Sequence, residues 1–352
     1  MYDRIEKDIY ESPAGWSLFP LPAVGRVALL GHRLQEIHSL VLDIIKSEGP
    51  AFAFASSNGV EKLEVSRIGE RLYSLRDSGD LLGGLEYSEH VSAFLACWKG
   101  LDMAGVRDWG LGPSQPSRAA IDALNKLLQA VRQECTSASF RNRLRIRRER
   151  AKKNAVRVER YVSKLLAPGD VLVLRMELGY LDPQLTWPSD NAVRLLAGDM
   201  RRFVNRLSKR TGLFRNLTGH VAFLGAGIEK RDFYHVVFVF DASESRDVSL
   251  MVNEIGLFWQ GLVSNQQGRR GVFLDCRHSA NDFRRRGIGR IGAKDAQLKK
   301  ELRQGLYYLA KCSEYIRLPS HRSMRSMAMS SLRKRVEQAS KASVEEAKKL
   351  GI

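Results

Sequence analysis

From residue 170 onward the apolar positions keep a regular spacing. Residues 171–178 form a near-continuous apolar run, which predicts a buried strand. Val193, Leu196, Met200, Phe203 and Leu207 then step by three and four, as on an amphipathic helix. Arg201, Arg202 and Arg206 fall off that stripe. Residues 220–224 and 233–240 read as two strands joined by a turn over residues 225–230. Asp247 can cap a helix running to about Val263, with Val248, Met251, Val252, Ile255, Phe258 and Trp259 inward. Residues 271–274 make a fourth short strand, and residues 297–316 a further helix bounded by Pro319. The βαββαβ order predicts an α+β domain with an antiparallel sheet of ferredoxin-like connectivity. Its helices are expected on one face, with the other face open to a substrate.

Residues 1–138 read as a mainly helical accessory domain. Leu30, Leu34, Ile37, Val41 and Ile45 fall on one helical stripe within residues 27–45. A second helix over residues 119–131 follows the break at Pro113 and Pro116, with Ser117 placed to cap it. Residues 87–98 are a third helical segment. The remaining divisions are a basic linker helix at 139–166, the α+β domain at 167–325 and a basic helical tail at 326–352.

Charge changes the picture more than composition does. The chain has 352 residues, is 44% hydrophobic and carries a formal charge of +18, so it has material for two cores and an excess pointing to a polyanionic partner. Residues 141–164 hold eleven Lys or Arg against two Glu, half of the net charge in 24 residues. Arg141, Arg143, Arg145, Arg147, Arg148, Arg150, Lys152 and Lys153 are therefore candidate phosphate contacts. Arg284, Arg285, Arg286, Arg290 and Arg322 form a second basic group. The run from Gly287 to Gly292 matches GxGxxG but follows arginines rather than a strand, so it reads as a cationic loop and not as a dinucleotide site. Cys97, Cys135, Cys276 and Cys312 are too scattered for a zinc knuckle or a disulfide framework. No signal pattern and no apolar run of 18 residues appears, so a cytoplasmic protein with no membrane span is expected.

Two constellations carry chemistry. His235 opens an apolar strand and shares a face with Phe233, so one imidazole stands where a metal site would want two. Glu177 on the first strand can add an oxygen ligand, and His220 can join only if the strand register allows it. Tyr308 and Lys311 are one helical turn apart. A tyrosine hydroxyl attacks a phosphodiester when its proton is drawn off and the phosphate charge is neutralised, and a neighbouring Lys serves both needs.

Taken in order, these landmarks resemble the gene-two-type replication protein family of filamentous phages (inoviruses). They are the strand from Val173 to Leu178, Phe233-Tyr234-His235-Val236, Asp241, Trp259, Gly287-Ile288-Gly289, Asp295, Tyr308-Leu309-Ala310-Lys311 with Glu314, and Arg322. The resemblance covers residues 170 to about 330, under half of the chain. It implies kinship with the His-hydrophobe-His (HUH) tyrosine endonucleases that start rolling-circle replication. His235 and Glu177 would then hold Mg²⁺ or Mn²⁺, and Tyr308 would attack the scissile phosphate and keep the 5′ end. The chain departs from that pattern at Phe233 in place of the first His, at Gly225 in place of an acid, and at Met324-Arg325 in place of an aromatic-glycine step. The expectation is a phage or prophage replication initiator-like protein in a bacterial cytoplasm. It would bind single-stranded or origin DNA, act alongside host replication proteins, and nick through Tyr308. A non-catalytic DNA-binding regulator on the same fold and an RNA-binding accessory protein are the alternatives.

Overall fold

The computed structural model describes residues 24–57, 60–75, 86–100, 106, 117–167, 169–181, 190–227, 231–242, 247–264, 268–278, 287–312 and 327–332. These residues form two compact units divided between Arg148 and Glu149. The Met324-Arg325 step, Arg284, Arg285, Arg286, Glu314, Pro319 and Arg322 lie outside the described residues.

The first unit contains α1 (Val24–Lys46), a hairpin of β1 (Phe52–Ser57) and β2 (Val60–Val65), then α2 (Arg67–Ser74), α3 (Glu89–Lys99), α4 (Arg118–Thr136) and the beginning of α5 (Ala138–Leu165). Its core gathers Leu34, Ile37, Val41, Phe94, Leu124 and Val131. Ser117 caps α4 as its sequence predicts, accepting a hydrogen bond from the Ala120 amide. Ile45 departs from expectation. It sits at the edge of the buried arc in the last turn and is 38% exposed, while Ile44 is buried. The hairpin is the larger departure from a mainly helical reading. Asn125 of α4 pins its first strand, accepting from the Ala51 and Phe52 amides and donating to the Phe52 carbonyl.

The second unit is α+β. After α5 come β3 (Val171–Leu181), α6 (Asp190–Lys209), a 3₁₀ turn at Gly212–Phe214, β4 (Leu217–Gly227), β5 (Arg231–Asp241), α7 (Val248–Val263), β6 (Arg270–Asp275), β7 (Gly289–Ile291), α8 (Ala296–Cys312) and β8 (Met327–Met329). The sheet runs β6-β3-β5-β4-β8, every neighbouring pair antiparallel, with β7 pairing the other half of the β3 edge that holds β6. Asp247 caps α7 by accepting from the Ser249 and Leu250 amides. Phe258 was expected inward but is 36% exposed, although it still touches Phe203 and Phe214.

Both faces of this sheet are covered, which overturns the expectation of an open one. On one face, Phe203 of α6 packs edge-to-face on Phe238 and on Trp259 of α7. Trp259 also donates its indole N–H to the Gly179 carbonyl. On the other face, Val173, Val221, Phe223, Val237 and Val239 share a core with Val158, Val162 and Leu165 of α5 and with Leu302, Leu306 and Ala310 of α8. The cause is visible in α5. Its basic run is interrupted at Ala151, Ala155, Val158, Val162 and Leu165, positions spaced by three and four, and these are buried. The second half of the segment read as a linker is thus a structural helix of the α+β unit. The tail contributes as well, since β8 adds an edge strand beside β4.

Candidate functional site

Strand alternation sets out three rows of side chains on the α5–α8 face. In the first row Gly179, Phe233 and Gly225 lie side by side on β3, β5 and β4. In the second stand Glu177, His235 and Phe223, and in the third Arg175, Val237 and Val221. Phe233 and His235 share a face, as expected. His220 does not join them. It pairs across the ladder with Phe238, on the opposite face from Val221 and Phe223.

Glu177 and His235 are directly opposite each other, and His235 Nδ1 is 3.5 Å from Glu177 Oε1. Both are buried, at 2% and 3% exposure, because β3 is flanked by β5 and β6 rather than lying at an edge. Two further side chains complete the cluster, Arg175, which pairing along β3 also suggests as a neighbour of Glu177, and Cys276, which was not anticipated. Arg175, two residues before Glu177 on the same strand, is fully buried and donates from Nε to His235 Nε2 at 3.3 Å. Cys276, buried in the 3₁₀ turn that follows β6, brings a thiol so that ligand atoms of Glu177, His235 and Cys276 lie within 4.8 Å of one another. The alternation of β3 puts Arg175 on the face of Glu177, and the structure buries both where an exposed strand-edge pair is the simpler expectation from sequence. Nothing local to Cys276 marks it, because its place depends on how β6 pairs with β3.

This donor set does not fit Mg²⁺, which takes oxygen ligands in a near-octahedral shell. A thiol, an imidazole and a carboxylate are the ligands of softer ions. The hydrogen bonding also opposes any cation here. A guanidinium only donates, so the His235 Nε2 it meets must be the accepting nitrogen, and the proton of the neutral ring is then on Nδ1, facing Glu177. A metal on Nδ1 would displace that proton. A buried positive charge already stands on the other nitrogen of the same ring, from Arg175.

Phe233 and Gly225 prove to be one feature. They are cross-strand partners, and a Cβ at Gly225 would lie 2.7 Å from Cζ of the Phe233 ring. The ring therefore covers the glycine, and the two residues together fill one space on the sheet.

Tyr308 and Lys311 lie on α8, whose Leu302, Leu306 and Ala310 pack on this same sheet face. Their side chains are outside the described residues, whereas the adjacent Tyr307 packs against the core. The glycine before β7 has a structural reason. Gly287 has φ +64°, and a Cβ there would meet the Leu302 backbone of α8 at 2.6 Å, so the chain passes too close to the helix for any side chain. Arg290 donates to the Ala242 carbonyl.

Along α5 the predicted phosphate contacts separate. Arg147 is buried and paired with Glu89 at 3.1 Å, and Arg143 is bonded to Glu89 and Glu134. Arg141, Arg145, Arg150, Lys152 and Lys153 are exposed, and Arg148 is half-buried. Sequence inspection passed over Arg157, Arg160 and Lys164 as individual contacts, yet they continue the exposed side of the helix. With Lys152, Lys153, Val156, Tyr161, Met329 and Leu332 they line a groove of about 680 Å³. No helix among the described residues is long and apolar enough to cross a membrane. Comparisons with protein-family models, curated proteins and solved structures found no match.

Proposed function

We propose that this chain is a DNA-binding protein of the rolling-circle replication-initiator type in which the nicking chemistry is dormant. In that reading it regulates phage or prophage replication by occupying DNA. The observation that carries it is the sealed sheet face. Glu177 and His235 are buried against Arg175, and Phe233 on Gly225 fills the place of the missing ligands. A scissile phosphate must touch its catalytic groups, and groups this buried are out of its reach. The succession β3-α6-β4-β5-α7-β6 with sheet order β6-β3-β5-β4 supports the ferredoxin-like part of the reading. The exposed cations of α5 support the DNA-binding part.

One observation favours the active alternative. The helix bearing Tyr308 and Lys311 lies on the same sheet face as His235, as a nucleophile helix would. The test incubates the protein with labelled single-stranded DNA, with and without Mn²⁺, and resolves the products on a denaturing gel. Salt-sensitive binding without a covalent adduct is expected. A slow, Mn²⁺-dependent band that Tyr308→Phe removes would overturn dormancy and establish the nickase.

A further inference from the structure

The geometry points to the groove between α5 and β8 as a binding site for single-stranded DNA, with phosphates on its basic rim and unstacked bases on its apolar floor. This inference rests on the DNA-binding reading above and gives it a place on the molecule.

The rim comes from one face of one helix. Lys152, Lys153, Arg157, Arg160 and Lys164 recur at steps of one, three and four along α5, and all five are exposed. They outnumber the one acid of the lining, Glu149. Val156 and Tyr161 lie on the same face and Met329 and Leu332 come from β8 and the segment after it, so the floor beneath the cations is apolar. Tyr161 is held in place, since its hydroxyl meets Ser330 Oγ at 2.6 Å and Ser330 Oγ in turn accepts from the His220 amide. The groove walls are therefore tied to the sheet. Gly219 allows this close seat, because a Cβ there would lie 2.6 Å from the Tyr161 hydroxyl.

Charge complementarity selects a polyanion. The chain's own tail is a poor occupant, because residues 333–352 hold six Lys or Arg against three Glu and share the sign of the rim. The floor then selects among polyanions. A duplex presents phosphates while its bases stay stacked inside, so it satisfies the rim and leaves the apolar floor in water. A single strand offers both parts, since its bases can leave the stack and lie on apolar or aromatic surface. Neither half of the groove is legible alone. The helix looks like a basic linker, and Met327–Met329 looks like part of a frayed tail.

The experiment measures anisotropy of a labelled oligothymidylate, the matching duplex and an oligouridylate on the full chain, over a salt series. It compares the wild type with Arg157→Glu/Arg160→Glu on the rim and Met329→Ala/Leu332→Ala on the floor. Thermal melts confirm that each variant is folded. The rim variant is expected to lose at least about tenfold in single-strand affinity and to flatten the salt slope by about 1.4, two phosphates at ~0.7 each. The floor variant is expected to lose about five- to tenfold with the slope unchanged and duplex binding intact. Tighter binding of the duplex or of RNA would overturn the assigned occupant. Unchanged single-strand affinity in both variants would overturn the groove while leaving DNA binding in place. No binding of any nucleic acid would overturn the proposed function itself.

Discussion

Arg175, Glu177 and His235 form a buried polar cluster in which the imidazole stands between a guanidinium and a carboxylate of opposite charge. Removing one member of such a pair leaves an uncompensated charge in the core. Arg175→Met is therefore expected to cost about 3–5 kcal/mol, and Arg175→Met/Glu177→Gln clearly less, because it removes both charges. Urea unfolding of the two variants checks this, and equal losses would refute the pairing. His220 is a different kind of buried imidazole. Neither of its ring nitrogens has a hydrogen-bond partner among the described residues. Burial, with a smaller contribution from Arg210, lowers its pKa from 6.5 to about 4. The unfolded chain then binds the proton more readily than the folded one between those values. The contribution of neutral His220 to stability is complete above pH 6.5 and is lost as pH falls toward 4. The loss amounts to roughly 3 kcal/mol. His220→Leu should flatten the stability profile in that window while leaving the profile above it parallel to the wild type, as read from denaturant midpoints across pH.

At the level of elements, the pairing of β4 with β5 turns two separate positions in the sequence into one packed unit. Phe233 and Gly225 occupy one space between them. Gly225→Ala should cost about 1–3 kcal/mol through overpacking against the ring. The same change should cost less in a Phe233→Leu background, where the side chain can yield. A double-mutant cycle with additive losses would show that the two positions do not share space. Helix α5 makes a second case. Its charge obscures a stripe of Ala155, Val158, Val162 and Leu165 that seats it on the sheet. Val158→Asp puts an unpaired charge in that seat and is expected to destabilise the protein by more than about 3 kcal/mol, with Arg157→Asp, one residue away and exposed, close to neutral. Thermal denaturation distinguishes the two.

At the scale of the whole molecule, the charge of +18 acts mainly through salt. If the five rim cations each engage one phosphate of a single strand, the salt slope is about 3.5, so affinity should fall roughly hundredfold between about 50 and 200 mM salt. A slope near zero in a titration series would sink the electrostatic account. The sequence by itself determined the local elements. The period of Val193 to Leu207, the apolar runs of β3 and β5, and the caps at Ser117 and Asp247 are properties of neighbouring residues, and the structure keeps them. Even the β1–β2 hairpin carried a local signal in Asn58-Gly59, which stands between the two strands. What the tertiary structure decided is register and covering. Which strand Phe233 opposes, which face His220 takes, and which thiol reaches Glu177 all follow from pairings between segments up to about a hundred residues apart. A one-residue slip would reverse each answer, and no local pattern records it. The groove was beyond sequence reading for the same reason, since its rim and its floor meet only because α5 and β8 both close on β4.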